Sequence, residues 1–375
     1  MSINPREIPT GAVRYNTDSN KMEVYIGSTW MEVSVSTPDL GNSAAGARGL
    51  VMGGNSPGAP NDGRLNNIEF VTISSAGNSQ DFGDLTGNGR SDLGSCASAT
   101  RGFAMGGFDE NTPGYNNEMD FVTFSSTGNA TDFGDLVVKR QPPACFSNAT
   151  RGCCAGGYII GAATPLYPSN QGVNIIEYIT MTSAGNAIDF GDMTIAYRNK
   201  DSCQSPTRGI LAGGYNGPGD DTNVIEFVVT ATTGNATDFG DTVSGKVGWG
   251  QNGYGSSTRG VFPLASGGGP NYVHDSLNYI TLSTLGNTTE YGDLTTSRNL
   301  ACSFSDSTRG ILVAGGTPDS DDIDYNNIAT GGVSVDFGEY SAYSKLQSSA
   351  GCSNAHGGLK KPFPCAILNI SVITY

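Results

Sequence analysis

Six times along this 375-residue chain two carboxylates stand three positions apart around an aromatic residue and a glycine: Asp81-Phe-Gly-Asp84, Asp132-Phe-Gly-Asp135, Asp189-Phe-Gly-Asp192, Asp238-Phe-Gly-Asp241, Glu290-Tyr-Gly-Asp293 and Asp336-Phe-Gly-Glu339. The tetrapeptide is the magnesium motif of kinases, but no glycine-rich phosphate loop or His-Arg-Asp segment accompanies it. As a calcium loop it supplies two carboxylates where the ion wants six to eight oxygens. The pattern therefore reads as a turn in which Asp accepts backbone N–H bonds and Gly takes a special φ/ψ. A second series, Arg48, Arg101, Arg151, Arg208, Arg259 and Arg309, is followed each time by Gly. Repetition favours a structural role over an anion ring, with Asp84, Asp135, Asp192 and Asp241 as the expected ion-pair partners.

Other chemistry is sparse. The two histidines, His274 and His356, are too few and too isolated for a metal cage or a catalytic dyad. No His-Glu-x-x-His or Cys-x-x-Cys occurs, so no catalytic residue, metal or cofactor is expected and the chain reads as a non-enzyme. Of eight cysteines, Cys96, Cys145, Cys203, Cys302 and Cys352 each fall four to seven residues before an Arg or His landmark. They read as reduced, buried thiols, because equivalent positions in different repeats lie too far apart to bridge. A net charge of −15 with only 20 Lys and Arg excludes nucleic acid as a partner. No apolar run approaches the ~20 residues of a membrane helix, and the start, Met1 to Val13, lacks the pattern of a secretory signal.

These residues are organised by a repeat. The landmark arginines, continued by an eroded unit at His356, are separated by 53, 50, 57, 51, 50 and 47 residues. Each unit reads as four strands: small residues ahead of the Arg, an apolar run into a Gly pair, a β-branched and aromatic strand, a Gly-Asn turn, and the short Asp-Phe-Gly-Asp strand. With 54 Gly and 37 % hydrophobic residues the class is all-β, and four-stranded units of this length around an axis describe a β-propeller. Residues 1–32 stand outside the repeat as a small β-meander, with Tyr15, Tyr25 and Trp30 as its aromatic groups, and residues 33–375 form the propeller. Seven second strands and seven third strands predict seven blades, the last begun by Lys345 to Tyr375 and completed by Val33 to Leu40, which would remove an open edge. Length varies mainly between the Gly pair and the third strand. Those loops should share one rim, and Phe108, Tyr115, Tyr158, Tyr167, Tyr215 and Tyr272 in them are the candidate ligand-binding residues.

The unit resembles the Kelch repeat. Arg90, Arg140, Arg198 and Arg298 stand at its leading Arg; Gly53-Gly54, Gly106-Gly107, Gly156-Gly157, Gly213-Gly214 and Gly315-Gly316, with Gly267-Gly268 as a loose sixth, supply its doublet. Phe70, Phe121, Tyr178, Phe227, Tyr279 and Tyr325 match its aromatic, while its Trp is replaced by Phe82, Phe133, Phe190, Phe239, Tyr291 and Phe337. The resemblance implies the fold and leaves function open. Gly11 to Trp30 is similar to a short β-module of bacteriophage tail and fibre proteins, especially of phages infecting cyanobacteria. That resemblance implies a virion protein assembled in the host cytoplasm (tail fibre, baseplate or head fibre), a homotrimer, attachment to other virion proteins through the module, and a rim that binds a host-surface polysaccharide or a protein. A purely structural capsid or tail decoration and a glycan-processing enzyme are the alternatives.

Overall fold

The computed structural model describes residues 11–17, 21–26, 29–36, 47–59, 63–109, 114–159, 171–217, 220–243, 253–263, 274–359 and 367–371, and its named elements are all β-strands. The chain divides into two units, Met1–Asn42 with Lys361–Tyr375, and Ser43–Lys360. The division thus falls at 42/43 where the sequence suggests 32/33, and the C-terminal stretch belongs with the N-terminal one.

In the smaller unit Val13–Asn16, Lys21–Ile26, Thr29–Ser36 and Ile367–Ser371 form one antiparallel sheet in that order, with Val33 opposite Ile370. The expected union of Val33 onward with the C-terminal segment is present, but in this sheet and not in a repeat sheet.

The larger unit holds six four-stranded antiparallel sheets. Sheet I comprises Ala350–Ser353, Arg48–Met52, Asn67–Thr72 and Gln80–Asp84; sheet II, Gly94–Ala97, Arg101–Met105, Glu118–Thr123 and Thr131–Asp135; sheet III, Ala144–Ser147, Arg151–Ala155, Ile175–Thr180 and Ile188–Asp192. Sheet IV comprises Asp201–Gln204, Arg208–Ala212, Val224–Val229 and Thr237–Asp241; sheet V, Tyr254–Gly255, Arg259–Pro263, His274–Thr281 and Thr289–Arg298; sheet VI, Cys302–Ser305, Arg309–Gly315, Ser320–Asn327 and Val335–Glu339. The seventh set of landmarks makes no sheet of its own among the described residues. Its first strand, Ala350–Ser353, pairs with Arg48–Met52, so seven sets of landmarks yield six sheets.

The landmarks are the fasteners between consecutive sheets. In each Arg-Gly the glycine leaves the space that a side chain of the preceding sheet's first strand fills: Phe304 at Gly49, Cys352 at Gly102, Cys96 at Gly152, Phe146 at Gly209, Cys203 at Gly260 and Tyr254 at Gly310. The arginine lies on the third-strand aromatic of its own sheet, at 4.6 Å for Arg48 over Phe70, Arg101 over Phe121 and Arg151 over Tyr178. It then donates to a main-chain oxygen just past the third strand of the next sheet: Arg48 to Phe124, Arg101 to Met181, Arg151 to Thr230, Arg208 to Leu282, Arg259 to Ile328 and Arg309 to Ile73. The ion pairs expected with Asp84, Asp135, Asp192 and Asp241 are therefore replaced by cation–π contacts and carbonyl bonds. A fixed carbonyl at a strand end offers an acceptor that needs no ordering of a second side chain.

Asp-Phe-Gly-Asp is an edge strand and not a turn. Its register slips by one residue, as where Met119 faces Gly134 and Asp120 faces Asp132, and the extra residue, Phe133, turns into the core. The glycine after it has φ of +140° at Gly134, and a side chain there would strike the backbone of Gly185 in the next sheet. The second carboxylate's N–H donates to the turn asparagine of the next sheet, from Asp84 to Asn129 at 3.1 Å through Asp241 to Asn287 at 2.9 Å, and Glu339 donates to Asn78 at 3.1 Å. Sheet VI thus meets sheet I by the same contacts that join the others.

Buried ions tie the segments leading into the first strands to third strands, Arg298 doing so from the end of the fourth strand of sheet V. Arg90 pairs with Asp120, Arg140 with Glu177 at 3.3 Å, and Arg298 with Asp324 at 2.8 Å. In sheet IV the cation is Lys200, 3.0 Å from Glu226, and not Arg198.

The candidate binding rim

Beyond the second strand the Gly pairs turn the chain out of the sheet. Gly107, Gly157 and Gly214 have φ of +101°, +99° and +129°, which side chains rarely adopt. The residue that follows bridges back to the segment entering the first strand: Asn55 to Gln347, Phe108 to Ser91, Tyr158 to Gln141 and Tyr215 to Arg198, while in sheet VI the second glycine itself, Gly316, bridges to Asn299. These bridges set a row of side chains along one end of the sheets, opposite to the end held by the landmark arginines.

Four of the six expected rim residues come together there. The Phe108 and Tyr115 rings meet edge to face at 5.8 Å, and Tyr115 meets Tyr158 at 6.2 Å. Two arginines extend the run: Arg64 lies 4.3 Å over Phe108, and Arg198 lies 4.1 Å over Tyr158 and 5.2 Å over Tyr215. The run crosses from sheet I to sheet IV. Tyr115 and Tyr215 are buried, at 4 % and 7 % exposure, while Phe108 and Tyr158 are half-buried. The expected open aromatic planes are thus partly spent on one another, since ring edges and faces attract and shed water together. Tyr167 and Tyr272 lie outside the described residues.

The polar groups around the run are unevenly satisfied. Burial pushes the Tyr115 hydroxyl above its ordinary pKa while the Gln141 side chain bonds to it. The Oε1 of Gln141 is buried with no hydrogen-bond partner. Asp92, in the same stretch as Ser91, has its pKa raised by desolvation against bonds from Ser348 and Ser91. The guanidinium of Arg198 is half-buried, its Nε is shielded from water without an acceptor, and it has no ion-pair or hydrogen-bond partner among the described residues.

Arg198, Arg64 and Gln141 were not candidates from sequence. For Arg198 the signal was spacing. Arg90, Arg140 and Arg298 stand eleven positions ahead of their landmark arginines, and Arg198 ten, so Tyr197 takes the leading position and Arg198 the next, rim-facing one.

Two other places gather functional groups. The first strands line a small cavity of about 20 Å³, room for a water molecule. Serine hydroxyls cross-link those strands there, Ser95 to Gly351 O, Ser147 to Ala97 O and Ser202 to Cys145 O. His356 closes one side, donating from Nε2 to Ala97 O at 2.7 Å and accepting at Nδ1 from the Gly358 N–H at 3.1 Å; burial lowers its pKa to about 4. The seven described cysteines are buried free thiols, with Cys302 and Cys352 pushed up to about 12 by burial. In the N-terminal sheet Tyr25 and Trp30 pack at 5.3 Å, Arg14 lies 4.2 Å over Trp30 while paired to Glu23, and Tyr15 is 53 % exposed.

No model of a known protein family matches the chain, and no curated protein matches it by sequence.

Proposed function

We propose that the six repeat sheets are the blades of a closed, Kelch-like β-propeller in a bacteriophage virion appendage protein. Its rim binds a host-surface glycan, and its N-terminal sheet attaches it to other virion proteins as a homotrimer. The landmark-arginine contact, repeated at all six junctions with sheet VI to sheet I among them, supports the propeller, with six blades in place of the seven expected from the landmarks. The observation that carries the binding role is the run from Arg64 to Tyr215: it is where consecutive sheets stop repeating one another and place aromatic and cationic groups side by side. Half-buried aromatic rings beside amide and guanidinium groups suit the apolar face and hydroxyls of a sugar.

The purified full chain should bind cyanobacterial cell-surface polysaccharide in a sedimentation or surface-immobilisation assay, and Tyr158→Ala should weaken it about tenfold with the fold intact. Burial of Tyr115 and Tyr215 favours a second reading, in which the run only caps the sheets of a structural decoration protein. No binding to cells or polysaccharide would select that reading, and release of shortened saccharides would select a glycan-processing enzyme.

A further inference from the structure

With the rim as the binding surface proposed above, we infer that Arg198 is a receptor for a carboxylate on the ligand, so that the saccharide it takes is an acidic one. In the segments entering the first strands, the positions that bridge to the Gly-pair loops are Ser91, Gln141, Arg198, Asn299 and Gln347. Four are neutral and one is cationic. In sheet IV the inward ion-pair role has passed to Lys200, 3.0 Å from Glu226, which leaves Arg198 without a carboxylate partner among the described residues. In a chain with 35 acidic residues and a net charge of −15, a half-buried cation with no ion-pair partner among the described residues is costly unless something offsets it.

Its environment holds it ready for an anion. Tyr158 at 4.1 Å and Tyr215 at 5.2 Å flank the guanidinium and fix its plane by cation–π attraction, which satisfies the charge in part and the N–H donors not at all. A planar fork of N–H donors matches a carboxylate with two parallel bonds, so its orientation by two rings lowers the ordering cost of binding. Gln141, bridged to Tyr158 and carrying the orphaned Oε1, supplies the acceptor for a neighbouring sugar hydroxyl. A uronic acid presents both groups on one ring. An acidic peptide shares the carboxylate but has no hydroxyl to pair with the orphaned acceptor.

The test is titration of the full chain with oligogalacturonate, with its fully methyl-esterified form, and with oligoglutamate. The acid should bind and the ester should bind about tenfold more weakly or not at all, and Arg198→Gln should reduce acid binding about tenfold, to the level of the ester. Arg198→Lys should rescue acid binding only in part, because an ammonium cannot make the paired bonds. Melting temperature within about 2 °C of the parent separates these effects from misfolding. Equal binding of acid and ester, unaltered by Arg198→Gln, would overturn the anion receptor while leaving a glycan-binding rim. Oligoglutamate bound as tightly as oligogalacturonate would overturn the saccharide assignment, and no binding of any probe would overturn both the receptor and the reading beneath it.

Discussion

The two ends of the same strands use arginine on an aromatic ring for opposite purposes. At the landmark end Arg151 lies on Tyr178 and reaches the carbonyl of Thr230 in the next sheet, an arrangement repeated six times around the unit. At the rim end Arg198 lies between Tyr158 and Tyr215 and reaches no acceptor among the described residues. A satisfied guanidinium is a fastener. One whose charge is sheltered but whose donors are idle retains bonding capacity for a partner from outside. Repetition by itself marks the first kind, and a departure from repetition marks the second.

That contrast yields expectations of decreasing size. The strongest concerns the close approach beneath the landmark arginines. At Gly209 a side chain would fall inside the ring of Phe146, so Gly209→Val should cost about 3 kcal/mol or more in denaturant unfolding. Wild-type stability in that variant would show that the interface between sheets III and IV is loose.

Next is the buried imidazole. His356 titrates near 4 in the folded chain, below its usual 6.5, because burial disfavours imidazolium. Between those values the unfolded chain holds a proton that the folded chain lacks, so this group's stabilisation is lost as pH falls from 6.5 toward 4, by on the order of 2–3 kcal/mol. Buried Asp201, raised above its ordinary pKa by desolvation, acts with the opposite sign. The informative quantity is therefore the difference in stability between the parent and His356→Gln, measured across that window. It should shrink with falling pH, and a constant difference would place the imidazole in contact with solvent.

The smallest effect compares the two kinds of arginine directly. Arg151→Gln should lose about 1–2 kcal/mol of stability and leave ligand binding unchanged. Arg198→Gln should change stability by less than about 0.5 kcal/mol and lose binding. Matching stability losses in the two would erase the distinction between the ends.

Much of the fold was legible because a repeat writes its local chemistry many times. The apolar runs after Arg-Gly, the β-branched third strands and the Gly-Asn turns sit where their pattern put them, as at Arg101–Met105 and Glu118–Thr123. The number of sheets was not legible from the landmarks, because Ala350–Ser353 serves the sheet begun some 300 residues earlier. The role of the landmark arginines was hidden for a similar reason: their acceptors are carbonyls, which every residue has and no sequence pattern marks. At the rim, Phe108, Tyr115, Tyr158 and Tyr215 were found from loop composition, but their mutual burial was not.

The sequence by itself determined what depends on neighbours along the chain: strand periodicity, turns that require glycine, and the spacing of the repeat. Only the tertiary structure decided that Ala350–Ser353 supplies the first strand of sheet I, which aromatic faces remain partly open, and that Arg198 has no ion-pair partner among the described residues. Those are relations between segments distant in sequence, and a one-residue offset such as that of Arg198 gains its meaning only when the partner strand fixes which way the side chain faces.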